Sequence, residues 1–301
     1  MRSSGILVLV IAAAGALFGA GCMAPLLEPL EEPLIFRPRA LDEEHARALS
    51  HAGRIEEVRL ATPEGVTLHG WLKRPEQWTP GKPHPLVIVY GGVGQEVSEF
   101  VSRAAPHTAA ASHWGWLMIN YRGFGLSGGS PSERKVLADG KRIYDWAVAQ
   151  PDIDASNIVV LGRSLGSYVA IAVASARRVR AAILATPFDS AAALGEEHFT
   201  HGLPLGWLVQ SRYNPSLIAP LVSAPALFLL AEKDDVTPVK NGLALARRWG
   251  GKVKTVLLAG VGHTGLEQHE EFWGAVGTYL AALDDSERAT ASSAAGSSTG
   301  R

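Results

Sequence analysis

The sequence holds a single cysteine, Cys22, among 301 residues. One cysteine excludes an intramolecular disulfide and any zinc cluster built from several cysteines. An excess of charge of one sign is also missing, because 28 lysine and arginine residues stand against 29 aspartate and glutamate residues and leave a formal net charge of −1. Nothing in this balance indicates a nucleic-acid partner.

Motifs of several other protein classes are absent as well. The sequence has no H-E-x-x-H zinc motif and no phosphate-binding P-loop. The glycine-rich stretch 91–94 resembles the start of a dinucleotide fingerprint, but Val97 stands where the third glycine is required. This spacing argues against a dinucleotide-binding oxidoreductase.

Apolar residues make up 47% of the chain and charged residues 19%, which is a globular balance with a sizeable core. After an opening hairpin, short apolar runs alternate with segments of helical periodicity, and this order predicts a mostly parallel sheet with helices on both faces. Ligands of such sheets bind beyond the carboxyl ends of the strands. Strands are expected at 54–60, 66–72, 85–90, 115–120, 157–161, 179–185, 226–231 and 253–258.

One helix start has a particularly complete signal, the stretch Ser130-Pro131-Ser132-Glu133. We expect Ser130 to cap the helix, Pro131 to occupy its first position and Glu133 to complete a capping box. The helix should end near Gln150, because Pro151 follows.

The N-terminus has the pattern of a secretory signal peptide, expected at residues 1–21. Arg2 precedes an apolar core at 5–18, and three small residues stand directly before Cys22. This resembles the lipobox of bacterial lipoproteins, where cleavage precedes an acylated cysteine, although Gly19 replaces the usual leucine. A single-span anchor and a cleaved, secreted protein are the alternatives. All three place the domain outside the cytoplasm, and the first two tether it to a membrane through a segment at 22–50.

The stretch Gly162-Arg163-Ser164-Leu165-Gly166 lies between an apolar strand and an alanine-rich helical run. Strand, G-x-S-x-G and helix together are the context of a nucleophile elbow, which predicts Ser164 as nucleophile. The backbone N–H of Leu165 would then serve an oxyanion hole. The second donor is expected from the loop after the strand ending at Tyr90, and we choose Val93.

A serine nucleophile needs a base and an acid, and both follow in the chain order Ser, acid, His. Asp234 is the preferred acid and Asp235 the alternative, since both come directly after a predicted strand. His263, within the glycine-rich stretch 260–265, is the expected base. His269 is the weaker candidate because it is expected inside the next helix.

From about residue 35 to 283 the chain resembles the α/β-hydrolase superfamily, closest to its serine-aminopeptidase-like group. The resemblance rests on these stretches: 62–71, 120–128, 132–133, 162–166, 234–238 and 262–263. Relatives usually carry His-Gly-Asn or Gly-Gly-Asn in the oxyanion loop, whereas Val93 stands in place of that asparagine here. The resemblance implies an α/β-hydrolase fold at 51–285 and hydrolysis of an ester, thioester or amide in a small-molecule or acylated substrate, without cofactor or metal.

Two further segments have distinct composition. An insert at 187–218 carries apolar residues that predict either a lid over the acyl group or simple packing on the core. The tail at 286–301 is rich in Ser, Ala, Gly and Thr and is expected to be disordered. The function favoured by the sequence is an envelope-anchored carboxylesterase. A peptidase or thioesterase on the same triad and a non-catalytic binding lipoprotein are the alternatives.

Overall fold

The computed structural model describes residues 36–50, 53–101, 112–194 and 213–298, with side chains described as far as residue 285. The expected signal peptide, Cys22 and most of the expected lid lie outside the described residues. The sheet has eight strands: β1 Ile55–Ala61, β2 Thr67–Lys73, β3 His84–Tyr90, β4 Gly115–Ile119, β5 Ile153–Arg163, β6 Ala181–Ala185, β7 Ala226–Lys233 and β8 Val253–Gly262.

The strands are ordered β1-β2-β4-β3-β5-β6-β7-β8. The opening hairpin makes the antiparallel part, because β2 pairs antiparallel with both β1 and β4. All pairings from β4 through β8 are parallel. The mostly parallel sheet and all eight expected strands are thus confirmed.

Both faces of the sheet are buried. In β3, Ile88 and Tyr90 belong to one apolar cluster and Val87 and Val89 to the other, and all four are at most 1% exposed. Alternating side chains on opposite faces explain why this strand reads as a continuous apolar run. The helices flanking the sheet are α1 Glu43–Ser50, α2 Ser98–Val101, α3 Glu133–Val148, α4 Leu165–Ala176, α5 Val239–Arg248 and α6 Glu270–Ser298.

The start of α3 differs from the expected one. The N-cap is Ser132 in extended conformation rather than Ser130, and no side-chain cap bond forms there. Instead of closing a capping box, the Glu133 carboxylate accepts a hydrogen bond from the Tyr168 hydroxyl of α4 at 2.9 Å. A tertiary contact between two packed helices therefore replaces the local one that the sequence pattern predicts.

The end of α6 also differs from expectation, because the helix continues to Ser298 through the segment expected to be a disordered tail. Four alanines among residues 286–298 favour a helix there, since alanine has the highest helix propensity. Within the described ranges, no helix combines the length and the apolar character that crossing a membrane requires.

Burial of the Glu133 carboxyl predicts a pH dependence of stability. Burial raises the pKa of Glu133 to about 7, against the smaller lowering effect of the Tyr168 hydroxyl. A folded-state pKa above the unfolded one means that the folded protein loses stability as pH rises from about 5 to 8. We expect Glu133→Gln to raise the free energy of unfolding by about 1–3 kcal/mol at pH 8 and by little at pH 5. Urea unfolding at both pH values measures this difference.

The control is Glu44→Gln on α1, which removes an exposed carboxylate and should leave the pH dependence unchanged. An equal effect of Glu133→Gln at pH 5 and pH 8 would contradict the titration of Glu133 in this range.

Candidate active site

Ser164 lies at a sharp turn between the end of β5 and the start of α4. Its backbone has φ 50° and ψ −119°, a conformation that residues other than glycine rarely adopt. The Ser164 N–H donates to the carbonyl of Ala185 at 2.9 Å, and the Ser167 hydroxyl donates to the Ser164 carbonyl at 2.6 Å. These bonds hold a strained residue in place, and strained residues of this kind concentrate at functional sites.

The two glycines of the elbow are required by close backbone approaches. A Cβ at Gly162 would lie 2.2 Å from the carbonyl oxygen of Gly166, and a Cβ at Gly166 would lie 2.0 Å from that of Tyr90. Any side chain larger than that of glycine would clash with the backbone at both positions. The turn at Ser164 can therefore pack directly against β3, the strand that leads into the proposed oxyanion loop.

Three polar side chains meet beyond the carboxyl ends of β5, β7 and β8. The distance from Ser164 Oγ to His263 Nε2 is 3.2 Å. On the other side of the ring, His263 Nδ1 lies 2.9 Å and 3.0 Å from the two carboxylate oxygens of Asp234. Asp235 is exposed to solvent, so the structure brings Asp234 and not Asp235 to the imidazole. Ser164, His263 and Asp234 are 6–9% exposed, and direct contact with bulk water is therefore small.

The Asp234 carboxylate is held by its own loop. The backbone N–H groups of Val236 and Thr237 donate to Oδ1 at 2.9 Å and 2.7 Å, and the Thr237 hydroxyl donates to Oδ2 at 2.9 Å. Burial raises the pKa of Asp234, but the hydrogen bond and charge of His263, with the two backbone donors, outweigh burial and hold the pKa below its usual value. The group is thus an ionised acceptor that can fix the ring orientation.

The loop after β3 reaches the same site. Val93 lines a cavity of about 270 Å³ together with Ser164 and His263. The N–H of Gly92 donates to the Gln95 side chain at 2.9 Å. Since that donor is occupied, the N–H of Val93 is the next one available in the loop. Leu165, the other expected donor, is the first residue of α4.

Sequence analysis missed three buried polar residues that join the loops of the site: Gln95, Arg163 and Glu267. Gln95 Nε2 donates to Glu267 Oε1 at 3.2 Å, and Arg163 Nε lies 3.3 Å from Glu267 Oε2. Arg163 Nη2 also donates to the carbonyl of His263 at 2.6 Å. This network fixes the loop after β3, the end of β5 and the loop that carries His263 relative to one another.

The available sequence signal was weak, because each network residue stands within four positions of a recognised motif residue but nothing local indicates its burial. His269, the weaker candidate base, lies at the end of the short 3₁₀ helix Leu266–Gln268 and not inside α6. It is His263 that contacts the serine.

Comparison with known sequences identifies relatives over most of the chain. No protein-family model matches. An uncharacterized protein of Mycobacterium tuberculosis (strain ATCC 25618 / H37Rv) is 32% identical over 231 residues, which are 76% of this chain and 79% of the relative. The alpha/beta hydrolase domain-containing protein aho-3 of Caenorhabditis elegans is 25% identical over 154 residues, or 51% of this chain and 45% of that protein.

Solved structures share the architecture at low sequence identity. An alpha-beta hydrolase from Vibrio vulnificus superposes with a TM-score of 0.64 at 22% identity, covering 86% of this chain and 94% of the other. An acetyl xylan esterase from Paenibacillus sp. R4 gives a TM-score of 0.59 at 20% identity, with 82% and 97% covered. At these identities the likeness concerns the fold, including the order in which strands and helices alternate.

Proposed function

We propose that the chain is a member of the α/β-hydrolase superfamily, as its named relatives and its shared fold indicate, and that it is a serine hydrolase that cleaves an ester through an acyl-enzyme. The observation that carries the proposal is the unbroken series of contacts from Ser164 Oγ through both ring nitrogens of His263 to the Asp234 carboxylate. Each distance is within the range for proton transfer or hydrogen bonding.

The contacts assign a role to each group. Ser164 Oγ attacks the ester carbonyl carbon while His263 Nε2 accepts its proton, and Asp234 stabilises the resulting imidazolium. The oxyanion is bound by the backbone N–H groups of Leu165 and Val93. The imidazolium then gives its proton to the departing alcohol, which leaves the acyl group on Ser164. A water activated by His263 hydrolyses this acyl-enzyme and restores the free hydroxyl.

An ester is preferred over other acyl substrates because structural neighbours are described as esterases, among them the acetyl xylan esterase above and the Pyrococcus furiosus esterase Pf2001. The serine-aminopeptidase-like motifs keep a peptidase or thioesterase as the alternative on the same triad. A non-catalytic binding protein is disfavoured, since no member of the triad is missing and the serine is held in a strained conformation. Anchoring in the cell envelope through a lipid on Cys22 is part of the proposal and rests on the sequence of residues 1–22 alone.

A fluorophosphonate probe tests this proposal directly. We expect the wild-type protein to be labelled, as fluoride leaves and a bond forms between phosphorus and Ser164 Oγ. Ser164→Ala should abolish labelling, and His263→Ala should slow it strongly because the proton acceptor is lost. Ser175→Ala, which removes another hydroxyl of α4, is the control and should label normally. Intact-protein mass spectrometry gives the stoichiometry.

Absence of label on folded wild-type protein, or equal label on Ser164→Ala, would refute the proposal. A panel of p-nitrophenyl esters, thioesters and aminoacyl amides then separates esterase from thioesterase and peptidase. Applied to cell fractions, the same probe reports location, and Cys22→Ala should move the labelled protein out of the membrane fraction if a lipid on Cys22 anchors it.

A further inference from the structure

The cavity beside Ser164 has an unusual arrangement of charge. Its described lining includes three arginines and two glutamates. Arg163 faces Glu267 at 3.3 Å, and Arg39 faces Glu99 at 3.3 Å. The third arginine, Arg37, has no acidic partner within 4.0 Å among the described residues. Among the described residues, the cavity that holds the proposed nucleophile therefore presents one positive charge without an acidic partner.

Arg37 is also held in place by its backbone. The adjacent Phe36 is 1% exposed, and its carbonyl accepts a hydrogen bond from the Gly94 N–H at 2.9 Å. This bond ties the segment to the proposed oxyanion loop one residue after Val93. Because its neighbour is anchored, the backbone of Arg37 is held at the wall of the cavity that contains Ser164.

The backbone of Arg37 is strained, with φ 52° in the left-handed region. A residue other than glycine in this region costs roughly 1 kcal/mol or more. Glycine or asparagine would adopt the same conformation with less strain. Arg37 thus combines a strained backbone, a place on the wall of the cavity and no acidic partner in the described part of the chain, and this combination points to a role for its side chain.

We propose that Arg37 binds a carboxylate of the substrate, so that the ester cleaved at Ser164 carries a second, anionic group at its acyl end or its alcohol end. This inference rests on the proposed function and narrows its substrate class. The planar guanidinium binds a carboxylate through two parallel hydrogen bonds, which gives orientation as well as affinity. Arg37 is partly exposed, so a substrate entering the cavity reaches it without displacing packed side chains.

Matched substrate pairs test the proposal. Monoethyl succinate against ethyl succinamate places the charge at the acyl end, and 4-acetoxybenzoate against 4-acetoxybenzamide places it at the alcohol end. We expect wild-type kcat/KM to favour the anionic member of one pair by about 10-fold, the size of one charge-assisted hydrogen bond. The preference should fall as salt is added, because salt screens a partly exposed charge. Hydrolysis is followed by titration of the acid released.

Arg37→Asn removes the positive charge and introduces a residue that tolerates positive φ. It should bring the ratio of kcat/KM between the anionic and the neutral ester of each pair close to one. Arg39→Asn is the matched control, because it removes a cation of the same cavity that already has a glutamate partner, and it should keep the wild-type ratio. Hydrolysis of the neutral esters without any anionic preference in the wild type would overturn the inference and leave the proposed function standing. A preference that survives in Arg37→Asn would also overturn it.

If no ester in either pair is hydrolysed, the role of Arg37 is tested by measuring the binding of these esters directly. Isothermal titration of the Ser164→Ala protein with monoethyl succinate and with 4-acetoxybenzoate should show binding of at least one, and the added Arg37→Asn change should weaken it about 10-fold. Equal binding by the two proteins, or no binding by either, would overturn the role of Arg37.

Discussion

Replacement of Ser164 by glycine should abolish hydrolysis and yet give a more stable protein than replacement by alanine. Both variants lose the proposed nucleophile, and loss of a catalytic serine lowers kcat by a factor on the order of 10⁶. They differ in backbone freedom, because glycine adopts φ 50° without strain and alanine does not. We expect the free energy of unfolding of Ser164→Gly to exceed that of Ser164→Ala by about 1 kcal/mol. Ester hydrolysis and urea unfolding measure the two effects.

The same pair of substitutions at Ser175 supplies the control. Ser175 lies within α4, where the backbone is helical, and there glycine should be less stable than alanine by about 0.5–1 kcal/mol. The sign of the difference thus reverses between two serines eleven positions apart. If glycine were the less stable residue at both positions, the turn would not be storing strain at the nucleophile.

Replacement of Gly166 by alanine should be among the most damaging single changes in the chain. The added Cβ would lie 2.0 Å from the Tyr90 carbonyl oxygen and 2.6 Å from that of Gly91. Both obstacles are backbone atoms of β3 and the loop after it, so no side-chain rotation relieves the clash. We expect a loss of about 3–5 kcal/mol in the free energy of unfolding, comparable with the most severe core substitutions. Activity should fall as well, because the displaced loop carries Val93.

Gly274→Ala is the matched control for this change. A Cβ at Gly274 meets no atom within 4 Å, and the residue lies in α6, where alanine should stabilise the helix by about 0.5–1 kcal/mol. Thermal or urea unfolding of the two variants gives opposite signs if the elbow packs as described. If the Gly166→Ala protein were as stable as the wild type, the close contact described between the start of α4 and the end of β3 would be contradicted.

Much of the architecture could be predicted from the sequence because the parallel strands are buried on both faces. A strand such as β3 then becomes an unbroken apolar run, and its end is marked by Gly91 and Gly92. Since Ser164, Asp234 and His263 each follow directly after a strand, their meeting at one edge of the sheet could be predicted without knowing any distance. The position of each residue directly after a strand end was therefore sufficient to predict that the three side chains meet.

Other features depend on contacts between distant segments. Glu133 forms a bond to Tyr168 instead of a capping box, because α4 packs close enough to offer a hydroxyl. The network of Gln95, Arg163 and Glu267 spans up to 172 residues of chain. Charged residues are usually exposed, so only the folded neighbourhood reveals that these polar side chains are buried together. The left-handed backbone of Arg37 likewise has no local sequence signal.

The separation of the triad along the chain bears on biosynthesis. His263 is made 99 residues after Ser164, and the strands β6 and β7 lie between the strands that carry them. A nascent chain that extends past Ser164 but not yet to His263 therefore holds the serine without its base, and such a hydroxyl is a poor nucleophile. Under the proposed mechanism the nascent chain stays inert toward cellular esters until its final strand has docked.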